Sequence, residues 1–480
     1  MDGMRSIMKL AALLSFLVSS PHVVAQFSVA DSIVVRALHD EILGRGECYE
    51  NLRTLCKGVG HRLSGSASAD RAISWGLSVL RSSGADTAWL QPVMVPHWTR
   101  GDVERAWMRV GDGPEQALAI AALGGSIGTM GTFSDSGEDG FVEAEVLMVK
   151  RFESLDTLGR EAVEGKIVLF NRAMDPLLIN TGSAYGGAYN QRSQGAVQAA
   201  KLGGVGALVR SLTHALDSFP HTGGMHYDDQ VHRVPAAAIS TVDARQISDA
   251  LKGDESVRVG MQLSCELYPD VQQANVVAEW KGSEFPDEYI VVGGHLDSWD
   301  IGEGAQDDGA GVVHSIEVLR ALRAIGYEPR HTLRVVLFIN EENGNAGGKT
   351  YARVAEEMGL VHVAAVESDA GAGMPRGYSL DAIDSSVVVI RSWAAGLDPY
   401  GLRSFRRGGS GVDIGPLKLE EPGGHRPVLV GLRPDSQRYF DYHHSDRDVF
   451  ETVHKRELEL GAAALASMIY LLDQQNWTGK

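Results

Sequence analysis

His295, Asp307, Glu341, Glu342, Asp369 and His444 have the side-chain chemistry of a two-metal hydrolase centre, and each falls where an apolar run gives way to a loop. In open α/β sheets, ligands collect beyond the carboxyl ends of the strands. EYIVVGG runs into His295-Leu296-Asp297. His295 can ligate there, and Asp297, two residues on and on the same side of an extended backbone, can orient its ring. Asp307-Asp308-Gly309-Ala310-Gly311 opens into a helix and leaves a carboxylate free to bridge two cations; taken alone, it reads equally well as an ordinary acidic helix start.

TLRVVLFIN ends in Glu341-Glu342, and neighbouring strand residues point to opposite faces. A general base must stand near an activated water without being neutralised by coordination, which assigns Glu341 as base and Glu342 as ligand. LVHVAAVESDAG supplies Asp369, a charge that would be costly to bury after an apolar strand without a partner. The run 439–448, YFDYHHSDRD, supplies His444, with Asp448 as its expected hydrogen-bond partner and His443 facing substrate. Counting donors gives His295, Asp307 and Asp369 for one ion, and Glu342, Asp307 and His444 for the other. Mixed His and carboxylate shells with an open position suit catalytic zinc, with cobalt and manganese as alternatives. Two such ions roughly 3.5–4 Å apart polarise a carbonyl and acidify a bridging water together, the chemistry of peptide or amide hydrolysis.

Positioning these groups requires strands that end together. From Asn275 onward strand-like and helix-like runs alternate, which predicts an α/β fold with a mostly parallel sheet flanked by helices. The helix beginning at Gly309 places Val312, Val313, Ile316, Leu319 and Leu322 on one side as core packing. Residues 26–98 read as the opening of the same domain, a helical pattern and then an extended one, with the Gly/Ser-rich loop HRLSGS (61–66) between two helices. Residues 99–274 differ in texture: short β-type runs (EAEVLMVK, KIVLFN, GALVRS, PAAAIS) separated by glycine clusters, with one helix followed by a strand in GAVQAAKLGGVGALVR. They read as an inserted β-rich α+β domain, its histidines (His214, His221, His226, His232) as surface loop residues, and 275–480 as the catalytic part that carries the site.

Residues 1–25 carry Arg5 and Lys9, an apolar run from Leu10 to Val18, and Val23-Val24-Ala25, the pattern of a cleaved export signal. The apolar run is well short of the roughly 20 residues a spanning helix needs. The mature chain is therefore expected outside the cytoplasm, secreted or periplasmic, with no membrane segment. A net charge of −18 argues against nucleic-acid or anionic-membrane binding, both of which need basic surface. Three cysteines, Cys48, Cys56 and Cys265, are too few for a disulfide scaffold, although export would permit a Cys48–Cys56 bridge. Asn476-Trp477-Thr478 is a glycosylation-type sequon at the tail.

Several segments taken together resemble the secreted co-catalytic zinc exopeptidases of the carboxypeptidase Q type: GHLDSWDIGEGAQDDGAG (294–311), NEENG (340–344), ESDAG (367–371), YHHSDRD (442–448), HRLSGS, VPHWTRG (95–101) and GSGVDI (409–414). The resemblance implies a parallel-sheet catalytic domain interrupted by a protease-associated domain, and a homodimer that cuts dipeptides or short peptides with a free terminus. It places two zinc ions on His295, Asp307, Glu342, Asp369 and His444 and the base on Glu341, in agreement with the residue-by-residue assignment. The charged turn Asp446-Arg447-Asp448 departs from the family pattern, as does the Asn343-Gly344 that follows Glu342. Arg447, or Asp413 in the loop before it, is a candidate contact for a substrate carboxylate. Competing expectations are an aminopeptidase on the same scaffold, a glutaminyl cyclase-like acyltransferase using one zinc, and a receptor-like binding protein.

Overall fold

The computed structural model describes residues 27–130, 140–418 and 426–478. The export signal expected at 1–25 lies outside them. No helix among the described residues is long and apolar enough to cross a membrane.

Two eight-stranded sheets organise the molecule. In the first, the centre is four parallel strands, in spatial order His331–Phe338, Phe285–His295, Val361–Glu367 and Val428–Pro434. All eight residues of HTLRVVLF are buried, as a strand covered on both faces requires. Antiparallel pairings flank this centre. On one side lie Glu266–Trp280 and the edge strand Thr87–Thr99; on the other, Pro375–Asp381 pairs antiparallel with Val428–Pro434 and carries Ser404–Arg407 as a last parallel strand. The sheet is thus parallel at its centre and mixed at its margins. Helix Ala310–Ala324 carries the expected apolar stripe but is buried on nearly every side, because helix Lys455–Asp473 packs over it.

The second sheet is built entirely from strands between Glu104 and Leu263, so the chain leaves the first sheet after Thr99 and rejoins it at Glu266. Residues 266–274, expected in the insert, belong instead to the first sheet: strand Glu266–Trp280 pairs with Thr87–Thr99 along most of its length, with one irregularity between Val95 and His97. Within the second sheet, helix Asn190–Lys201 precedes strand Gly206–Arg210, the helix-then-strand order read from the sequence.

Cys48, Cys56 and Cys265 are all free and buried, so the permitted Cys48–Cys56 bridge is not formed. Burial pushes the Cys56 thiol up to about 12 and the Cys265 thiol up to about 11, which leaves them as small apolar core residues.

Candidate metal centre and cleft

Strand register brings the chemistry together. His295 pairs with Phe338 and Gly293 pairs with Glu367, so His295, the Glu341-Glu342 turn and Asp369 all lie just past one line across the sheet. The turn that carries the glutamates is tight: Asn340 (φ 69°) and Asn345 (φ 54°) both occupy the left-handed region, which asparagine tolerates better than most residues. Asn340 donates to the Ser64 hydroxyl at 2.7 Å and accepts from the Ala346 N–H at 3.1 Å.

The HRLSGS loop does more than its composition suggested. Arg62 is fully buried and donates to three backbone carbonyls, Leu296 at 2.5 Å, Glu303 at 2.6 Å and Gly304 at 2.8 Å. It ties the end of the His295 strand to the approach to Asp307.

Asp307 stands at the middle of the cluster. One carboxylate oxygen lies 3.1 Å from His295 Nε2, and the other lies 3.2 Å from His444 Nε2 and 3.4 Å from His443 Nε2. His295 Nε2 is also 3.7 Å from Asp369, and His444 Nε2 is 2.9 Å from Glu342. The donor atoms of His295, Asp307 and Glu342 lie within 4.8 Å of one another, as do those of Asp307, His443 and His444, and those of His295, Asp308 and Asp369. The second Glu342 oxygen is buried with no hydrogen-bond partner. Imidazoles and carboxylates with an uncommitted buried oxygen are a donor set that fits a divalent transition metal.

Electrostatics point the same way. Burial works to lower the affinity of His295 for a proton, but Asp307 and Asp369 overcome it and hold the ring well above its ordinary value. His444 is likewise opposed by burial but raised to about 9 by Glu342 and Asp307. Asp307 is held well below the usual carboxylate range by His295, His444 and His443, against the effect of burial. Surroundings that favour imidazolium beside an ionised carboxylate also favour a metal cation in place of the protons. Burial, with Asp369 and Glu342 adding and His295 opposing, pushes Glu341 well above its usual range.

Several neighbours act differently from expectation. Asp297 orients His295 through its backbone carbonyl, 3.0 Å from Nδ1, while its carboxylate sits 3.8 Å away. That carboxylate instead accepts the N–H groups of Glu341 at 3.1 Å and Glu342 at 3.3 Å, fixing the turn. Asp448 does not touch His444; it accepts from the N–H groups of Gln306 at 2.7 Å and Asp307 at 3.1 Å. Asp308, quoted in sequence only as half of an acidic pair, accepts from the His295 N–H at 3.1 Å and the Gly311 N–H at 3.0 Å.

The cluster opens into a cleft of about 800 Å³ whose walls include Asp307, Glu341, Glu342, Asp369, His443 and His444. His443 stacks on His444 with ring centroids 3.6 Å apart and lines the cleft. Asp413 does not: it is fully buried, with neither carboxylate oxygen hydrogen-bonded, and burial, with Glu367 adding, pushes its carboxyl well above the usual carboxylate range. A side chain buried away from the cleft cannot meet a substrate carboxylate. Arg447 pairs with Asp217 at 3.4 Å, lies over the rings of Phe219 and Tyr442, and is not among the cleft-lining residues. A larger hollow of about 1200 Å³ shares no lining residue with the cleft and, among the described residues, holds no such ligand cluster.

The segment that builds the second sheet also reaches the site. His221, expected on the surface, is buried, and its Nδ1 lies 2.7 Å from the carbonyl of His443. Arg192, Tyr185, Tyr189 and Tyr227 line the cleft as well. No spacing signal ties these residues to the strand-end motifs, since the link is made in three dimensions only.

The family model for Peptidase family M28 matches residues 275–402, a span that holds His295, Asp307, Glu341, Glu342 and Asp369 but stops before His444. Carboxypeptidase Q of Bos taurus is 33% identical over 446 residues, covering 92% of this chain and 88% of its own length. That of Homo sapiens is 33% identical over the same shares. Among solved structures, the Peptidase M28 precursor from Shewanella amazonensis SB2B is 32% identical with a TM-score of 0.86, covering 93% of this chain and 97% of that one. A zinc aminopeptidase from Bacillus subtilis shares the fold at a TM-score of 0.61 and 18% identity, over 88% and 94% of the two chains.

Proposed function

The chain belongs to the carboxypeptidase Q group of M28 peptidases, and from that premise we propose that it is a zinc exopeptidase that hydrolyses dipeptides or short peptides at a free carboxyl terminus. His295, Asp307 and Asp369 would hold one zinc ion, and Asp307, Glu342 and His444 the other. When bound, the ions supply Lewis acidity that polarises the scissile carbonyl and acidifies water at its face. The observation that carries this reading is Asp307, whose two oxygens each face a different histidine at 3.1 and 3.2 Å.

The protein's own groups supply the rest. Glu341 lines the cleft and is placed by the bond from its N–H to Asp297, so its carboxylate takes a proton from the attacking water and delivers it to the departing amine nitrogen. Asp297 and Asp448 act on geometry by gripping the turns that carry Glu341, Glu342 and Asp307. The cleft volume is of the size that takes small ligands, in keeping with short peptides.

The second sheet is read as the protease-associated domain, the leader at 1–25 as the route of export to the periplasm or exterior, and the working form as a homodimer. The deciding experiment compares an N-blocked dipeptide with a C-amidated one. Cleavage of the N-blocked substrate alone is expected. Cleavage of the amidated one alone would replace the carboxypeptidase reading with an aminopeptidase. One tightly bound zinc per chain, in place of two, would favour the cyclase-type acyltransferase.

A further inference from the structure

We propose that the inserted region completes the metal centre: His221, Thr222 and Arg192 are positioning residues that set His444 for the second ion. This rests on the reading of His444 as a zinc ligand.

Thr222 and His444 are joined twice. The Thr222 N–H donates to the His444 carbonyl at 2.9 Å, and the Thr222 carbonyl lies 3.2 Å from His444 Nδ1. A ring whose Nδ1–H donates to that carbonyl presents an unprotonated Nε2 to Asp307 and Glu342, the form in which a histidine ligates. One residue earlier, His221 Nδ1 donates to the His443 carbonyl at 2.7 Å. These bonds hold both peptide units around His444, whose φ of 61° places a side-chain-bearing residue in the left-handed region. Such a conformation is strained and persists only where its surroundings impose it.

The clasp is itself braced within the insert. The Thr222 hydroxyl donates to the Ala122 carbonyl at 2.6 Å, and the His221 N–H donates to the Ser211 hydroxyl at 2.9 Å. Arg192, only 4% exposed, donates through Nη1 to the Thr222 carbonyl at 3.2 Å. It also lies 3.3 Å from His444 Nδ1, but a ring N–H already donating to Thr222 cannot accept there, so its bond is the one to the carbonyl. Gly223 makes room for it: at φ 137°, a Cβ on Gly223 would fall 2.4 Å from the guanidinium carbon. By contrast, His295 takes its Nδ1 partner, the Asp297 carbonyl, from the same strand end. The insert should therefore govern one ion and not the other.

The test uses the full-length protein and its His221→Phe and Arg192→Met variants, titrated with zinc against a chelating dye so that two binding constants are resolved. His444→Ala identifies which constant belongs to the His444 ion. The expected result is a 10- to 100-fold weakening of that constant, on the order known for lost partners of metal ligands, with the His295 ion unmoved. Arg192→Met leaves the 221–222 segment intact and covers the case in which His221→Phe does not fold. Unchanged constants, or both constants weakening together as general loosening would cause, overturn the clasp. A wild-type chain that binds one ion overturns the two-ion reading and the clasp with it; two ions in the wild type with unaltered constants in the variants overturns the clasp alone.

Discussion

His295 and His444 face the two oxygens of one carboxylate, Asp307, yet they are held by different parts of the molecule. The His295 half is a product of the sheet: its ring, the Glu341-Glu342 turn and Asp369 stand at neighbouring ends of parallel strands whose register aligns them. The His444 half sits on a loop with a left-handed residue, and its ring partner comes from Thr222, more than 200 residues earlier. One half inherits its geometry from backbone pairing that the core stabilises in any case. The other depends on docking between two regions, which makes it the half that substitution can loosen separately.

The largest effect should come from breaking what the halves share. Asp307→Asn keeps the shape but removes the charge that both histidines face. Both zinc ions should be lost on dialysis, as counted by atomic absorption, and kcat/KM should fall by more than the roughly 10²–10⁴-fold that loss of a general base costs. Retention of either ion would show that the halves are independent sites. Glu341→Gln comes next and touches the strand-end half alone. Peptide hydrolysis should drop about 10²–10⁴-fold with both ions still bound, because Glu341 is assigned to proton transfer and not to coordination. Unchanged turnover in this variant would remove Glu341 from the chemistry and revive a binding-only protein.

Acid should act on the frame of both halves alike, through a histidine outside the cleft. His39 is buried, with its Nδ1 2.9 Å from the Val35 carbonyl, and burial lowers its pKa from 6.5 to about 4. The folded state therefore keeps this ring neutral while the unfolded chain takes up a proton as the pH falls through 6.5. Its contribution is fully present above that pH and is lost progressively until pH reaches about 4, up to about 3 kcal/mol. Urea midpoints at pH 7 and pH 4.5 should differ less in His39→Gln than in the wild type.

The same contrast governs what the sequence disclosed. Strand ends announce themselves, because an apolar run of β-branched residues that stops at a His or Glu carries both the element and the residue it places; His295, Glu341, Glu342 and Asp369 were legible for that reason. The alternation after Asn275 likewise conveyed the parallel centre of the sheet, and the change of texture near Thr99 conveyed the excursion into a second sheet. Its return point was misplaced because ELYPDVQQ, largely exposed on a long two-stranded ribbon, lacks the apolar pattern of its own strand's second half. Thr222 had no local signal, since a carbonyl acceptor can be supplied by any residue type, and nothing beside His221 or Arg192 in the sequence points to the His444 loop that their side chains brace. The carboxylates of Asp297 and Asp448, expected beside histidines, accept instead from backbone N–H groups of turns: spacing shows which residues are near in sequence and not the shape of the turns they grip.

Arg447 gives the smallest expected effect and the sharpest check on the boundary of the His444 half. It lies three residues from His444 in sequence, which made it a candidate for a substrate carboxylate. The structure turns it toward Asp217, with side chains 41% and 18% exposed, and an ion pair as open to solvent as this is worth at most about 1 kcal/mol. Arg447→Ala should therefore leave KM for an N-blocked dipeptide within about twofold and shift stability by less than about 1 kcal/mol. A large rise in KM with kcat unchanged would mean that the loop carrying His444 turns over when substrate binds, bringing Arg447 into the cleft, and the loop half would then be mobile in a way the strand-end half is not.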